Sequence, residues 1–231
     1  MNILTQRKMK HRPCGVVVFF LCFTLPASLL SQGSWGVQLG GVSSQISGDG
    51  YRGFKKFGIE TGLNYMSPLG SNGNAWGFEL NYIQKGALER QEITEGNFNV
   101  YRYSAHYIDL PLSYFFPLWG VYVQTGVSAS FNLKTEISTN DLLAPPLANQ
   151  RLIELGFVGA VLFEISKRLS FSVRYYNSLL PVQRSNAIAA YYWFSQGGMH
   201  AVLGARLQYQ FQLPPFRWDK PKGSSAEVKI D

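Results

Sequence analysis

Residues Trp76–Gly86 read WGFELNYIQKG. Trp76, Phe78, Leu80 and Tyr82 alternate with Gly77, Glu79 and Asn81, and Lys85 follows Ile83 in phase with the polar set. A two-residue period marks a strand, because successive side chains point to opposite faces. In a soluble sheet the polar face meets water and the apolar face a core, whereas in a membrane barrel the apolar face meets lipid. The remainder of the chain discriminates between the two.

The same alternation recurs along the sequence and predicts eight strands: SWGVQLGGV, KFGIETGLNYM, the stretch above, HYIDLPLSYFF, VYVQTGVSASFNL, LIELGFVGAVLFEI, LSFSVRYY and AVLGARLQYQF. A tilted strand needs about 9–11 residues to cross a bilayer, which these runs match. Their connections alternate in length. Long loops follow the first, third, fifth and seventh strands, and short ones (SPLGSNGN, PLWG, SKR) follow the second, fourth and sixth. This is the pattern of an all-β, eight-stranded antiparallel up-and-down transmembrane β-barrel, with tight periplasmic turns, larger extracellular loops and both termini in the periplasm.

Charge sorting supports lipid outside. The apolar faces of the eight runs carry no Asp, Glu, Lys or Arg, while the opposite faces hold Glu60, Glu79, Lys85, Asp109, Glu154, Arg174 and Arg206. A charge on the lipid face near mid-bilayer costs about 2–4 kcal/mol, so a membrane barrel must sort its residues this way. Glu60, Glu79, Asp109, Arg174 and Arg206 lie roughly four to seven residues above the short turns, hence in one layer of the lumen. Three acids and two bases there are expected to neutralise one another as a plug, with Lys85 and Glu154 above them. Trp35, Tyr65, Trp76, Tyr114, Phe116, Trp119, Phe163, Tyr209 and Phe211 fall at the strand ends next to the short turns, where a barrel places its aromatic girdle.

Composition fits the same reading. The 231 residues are 46% hydrophobic but only 15% charged, against about 25% in ordinary soluble domains. Residues 1–32 read as a signal peptide, with Arg7, Lys8, Lys10 and Arg12 preceding the apolar GVVVFFLCFTLPASLL and cleavage expected near Gln32. Both cysteines, Cys14 and Cys22, fall inside it, so no disulfide or thiolate metal site is expected in the exported chain. The formal charge of +7 includes four cations of the leader and a net one in the tail, which leaves +2 on residues 33–211. That argues against nucleic acid as a partner. The barrel is assigned to 33–212, and the Pro-rich, polar 213–231 reads as a periplasmic extension.

At FELNYIQKG followed by YIDLPLSYFF, the sequence resembles the outer-membrane β-barrel family of Bacteroidota called PorT-like. The resemblance rests on Glu79, Leu80, Tyr82, Lys85 and Gly86, on Tyr107 to Leu112, and on the later ELGFVGAV and RYYNSLL, and spans about residues 33 to 212. It implies an outer-membrane location in a Gram-negative bacterium. For function it implies, by analogy with a few members, an accessory role in type IX secretion.

No phosphate-binding glycine loop or nucleotide motif is present, and no cofactor is expected. An outer-membrane lipid-modifying enzyme would need a nucleophile with a base. The exported chain offers His106 and His200, with Ser104 on the face of His106. The favoured expectation is a non-enzymatic, monomeric barrel with lipid around it and envelope or secretion proteins as partners. Tyr191, Tyr192, Trp193 and Phe194 in the last long loop are its candidate contact surface. A small pore is the remaining alternative.

Overall fold

The computed structural model describes residues 33–47, 53–94, 97–140, 142–144, 151–179 and 199–212. They form β1 (Ser34–Ser47), β2 (Lys56–Pro68), β3 (Ala75–Thr94), β4 (Asn97–Leu118), β5 (Val121–Thr139), β6 (Leu142–Ala144), β7 (Ile153–Glu164), β8 (Leu169–Ser178) and β9 (Met199–Gln210). Every long strand pairs antiparallel with two neighbours. The ring runs through Leu39–Thr61, Leu63–Leu80, Tyr82–Ile108, Leu112–Val127, Val127–Phe157, Val161–Val173 and Val173–Ala205 and returns to β1 at Leu207–Leu39. Eight strands therefore close a barrel without an edge. The short β6 only folds back on the upper end of β5, at Ile137–Thr139.

The wall is inverted relative to a soluble protein. Leu39 is 64% exposed and Val127 57%, whereas Glu79 and Arg206, on the other face, are each 2% exposed. A belt of exposed Leu, Val, Ile and Phe around a ring of buried charges has one stable solvent for each face: hydrocarbon outside and other side chains inside.

Close-packed glycines make room for the interior. A Cβ on Gly62 would lie 2.2 Å from Asn81 Oδ1, and one on Gly40 would lie 2.5 Å from the Arg206 Cβ. The β4–β5 connection needs only Trp119 (φ 48°) and Gly120 (φ 91°), two left-handed residues in the two-residue hairpin form that suits the strand twist.

Two of the expected long loops are instead strand. β3 runs on to Thr94 and β4 begins at Asn97, so most of ALERQEITEGNFNV is a paired hairpin, and β5 extends to Thr139 through KTEIST. Alternation fails as a signal here because both faces have left the membrane. Polar residues then suit either side, while the backbone ladder continues, with a bulge at His106/Tyr107.

Candidate functional site

The lumen is built in layers. At the periplasmic end Met66, Ala75, Phe115, Tyr122, Ala160 and Leu162 form an apolar cap. Above it sits the charged layer, arranged around Glu79. Arg206 grips Glu79 with both terminal nitrogens, at 2.7 and 3.0 Å, and Arg174 Nη1 donates to it at 2.8 Å. Gln38, Gln124 and Asn81 add amide donors at 3.0, 2.8 and 2.8 Å. Glu60 accepts from Arg174 at 2.9 Å and from Arg206 at 3.3 Å. Asp109 faces Arg174 Nη2 at 3.5 Å and accepts from Ser128 and Ser130. All five charged side chains, contributed by β2, β3, β4, β8 and β9, thus share one network. A cavity of about 10 Å³ beside Glu60, Asp109 and Arg174 is the space left there, room for about one water.

Lys85 and Glu154 meet one level higher at 3.6 Å. Lys85 Nζ also donates to Ser130 at 2.9 Å and stands over the Tyr176 ring at 3.8 Å. Glu154 accepts from Tyr176 Oη at 2.7 Å and lies 2.9 Å from His200 Nδ1. Val42, Ile83, Tyr103, Tyr107, Val158 and Val202 pack around this pair as an upper apolar layer.

Sequence reasoning placed the charges on the inner face but missed both apolar layers and the role of His200. The signal was available: Met66, Phe115, Tyr122, Leu162, Val158 and Val202 all occur in phase with the polar set of their strands. The loop aromatics Tyr191, Tyr192, Trp193 and Phe194 lie outside the described residues.

On the outer wall, Tyr65 is fully buried despite facing outward. Trp35, Phe78 and Trp76 surround it with ring centroids at 5.0, 5.3 and 5.7 Å, and Tyr114–Phe116, Phe163–Phe171 and Tyr209–Phe211 continue the aromatic band. Toward the opposite rim the belt gives way to polar residues. His106 Nδ1 meets Tyr82 Oη at 2.6 Å, and Gln84 donates to the same hydroxyl at 3.1 Å. Ser104 shares this face, and the exposed side chains of Lys134 and Glu136 pair at 2.6 Å.

A closed antiparallel ring with an apolar wall, an aromatic band and a packed charged interior defines a transmembrane β-barrel. Residues 29–184 match the family described as outer membrane protein beta-barrel domain, and the chain belongs to that family. It is an outer-membrane protein of a Gram-negative bacterium. Among solved structures it is similar to Neisserial surface protein A, NspA, at 13% identity and a TM-score of 0.51, over 78% of this chain and 99% of that one. It is also similar to Ail, the attachment invasion locus protein of Yersinia pestis, at 12% identity and a TM-score of 0.46, over the same shares of each chain. At such identities the likeness to NspA is one of fold. A search of curated protein sequences gave no match.

Proposed function

We propose that this chain is a non-enzymatic outer-membrane barrel whose lumen is closed and whose work is done at its extracellular rim and outer wall, as an interaction or structural protein of the envelope. It reaches the membrane through the leader in residues 1–32 and acts as a monomer within lipid. The observation that carries this reading is the convergence on Glu79. Two guanidiniums and three amides fill its coordination, and a buried network of that kind supports a lumen plugged at this layer rather than one open to ions or a substrate. Contact with other molecules then falls to the rim, where β3, β4 and β5, with 20, 22 and 19 residues, outreach the 10 to 12 residues of β7–β9.

The resemblance of Glu79–Gly86 and Tyr107–Leu112 to the PorT-like barrels supports a narrower role, as an accessory of type IX secretion. Crosslinking in native membranes followed by capture tests it. Recovery of secretion-machinery components, lost when the β3–β4 extension is trimmed, is the expected result; capture of the barrel alone would overturn the accessory role. A lipid-modifying enzyme is disfavoured because Tyr82 already occupies His106 Nδ1. His106→Ala is expected to leave the lipid A profile of the cell unchanged.

A further inference from the structure

Among the described strand residues, three exposed cations of the outward face, Arg90, Arg102 and Lys134, lie on the adjacent strands β3, β4 and β5. Arg90 on β3 and Arg102 on β4 are exposed and lie on the outward face, on adjacent strands, with Arg90 opposite Val100 and Arg102 opposite Leu88. Lys134 on β5 lies opposite His106, on the same face and 67% exposed. Along β4 the outward residues read Tyr114, Leu112, Leu110, Ile108, His106, Ser104 and Arg102 from the periplasmic side upward. At about 3.3 Å per residue and a tilt near 40°, an apolar band about 25 Å tall that starts at Tyr114 ends close to Ser104. Arg102 and Arg90 then stand just above the hydrocarbon, at the headgroups of the outer leaflet, and Lys134 reaches the same level from below.

Glu136 is the acid that faces outward here among the described side chains, and its exposed pairing with Lys134 is readily exchanged for another anion. Gln84, Tyr82, His106 and Ser104 supply hydrogen-bonding groups immediately beneath.

We propose that Arg90, Arg102 and Lys134 form a docking surface for the phosphorylated headgroup of an outer-leaflet glycolipid, which fixes the β3–β5 sector against the membrane. Arginine suits this task, since its planar fork binds phosphate oxygens in pairs. The proposal rests on the direction of the barrel wall, and the control below separates failure of the one from failure of the other.

The test uses the protein purified from outer membranes and reconstituted in phosphatidylcholine nanodiscs doped with either bisphosphorylated lipid A or the same lipid A stripped of phosphate. Retained lipid is counted by native mass spectrometry. Wild type is expected to retain the phosphorylated form preferentially. Arg90→Gln, Arg102→Gln and Lys134→Gln should each weaken that preference by roughly fivefold, as expected for one cation near an anionic surface. Lys167→Gln with Arg168→Gln, on the exposed β7–β8 turn at the other end, should change nothing. Equal retention of both lipids by wild type, or an equal loss from the turn variant, would overturn the docking surface. If the three single variants insert but keep full preference, the assignment to these residues fails. If Lys167 and Arg168 carry the preference instead, the barrel stands the other way up.

Discussion

At the scale of single residues, the barrel buries acids and bases together, and the cost of disturbing them is asymmetric. Glu79→Ala would leave Arg206 and Arg174 facing each other with Glu60 and Asp109 as their remaining acids, and loss of one partner from a buried ion pair costs about 3–5 kcal/mol. The paired replacement Glu79→Leu with Arg206→Met removes both charges and keeps the volume, so it should cost clearly less than Glu79→Ala alone. Urea-dependent unfolding in lipid vesicles measures this, and equal losses in the two proteins would refute the network as a stabilising unit. The wall has a matching contrast. Tyr65, enclosed by Trp35, Trp76 and Phe78, should lose about 3–5 kcal/mol on replacement with Ala, as large aromatics do when buried. Trp119, 94% exposed in its turn and without protein packing around it, should lose less than Tyr65 by the same assay.

At the scale of elements, β3, β4 and β5 each contain two regimes. Their lower parts, such as Trp76–Lys85 and Tyr107–Tyr114, belong to the closed ring, while Leu88–Thr94 and Asn97–Arg102 pair chiefly with each other. Joining Leu88 directly to Arg102 through a two-residue Asn-Gly turn should therefore leave a barrel that still inserts. Retention of its heat-modifiable electrophoretic shift would show this; a chain that no longer inserts would mean the hairpin takes part in folding. The same division explains what the sequence could disclose. WGFELNYIQKG was legible because lipid on one side and charge on the other force a strict period. ALERQEITEGNFNV was not, since above the membrane water accepts polar residues on either face and only the backbone ladder keeps the strand. The charges of the site were legible one by one through their phase. Their convergence on Glu79 was not, because it depends on how five strands stagger around the ring, a three-dimensional quantity that spacing from the turns fixes only coarsely.

At the scale of the whole molecule, the lumen has three barriers in series: the apolar cap of Met66, Phe115, Tyr122 and Leu162, the charged layer around Glu79, and the upper packing of Tyr103, Tyr107, Tyr176 and Val202. On the proposed reading they would block ions for different physical reasons. The apolar layers disfavour hydrated ions because nothing there replaces the hydration shell, and the charged layer does so because its acids and bases are already paired with one another. Closure should therefore be more robust than stability. Neutralising the middle layer with Glu79→Leu and Arg206→Met should leave the protein silent in planar bilayers, and so should thinning the cap alone with Phe115→Ala, Tyr122→Ala and Leu162→Ala. Combining the cap truncations with Tyr107→Ala, Tyr176→Ala and removal of the Arg206 and Arg174 side chains should give discrete openings, because an eight-stranded ring is blocked by its side chains rather than by its backbone. Steady conductance in wild type, or openings from the charge-neutral variant alone, would show that the packed interior conducts and that the chain is a small pore.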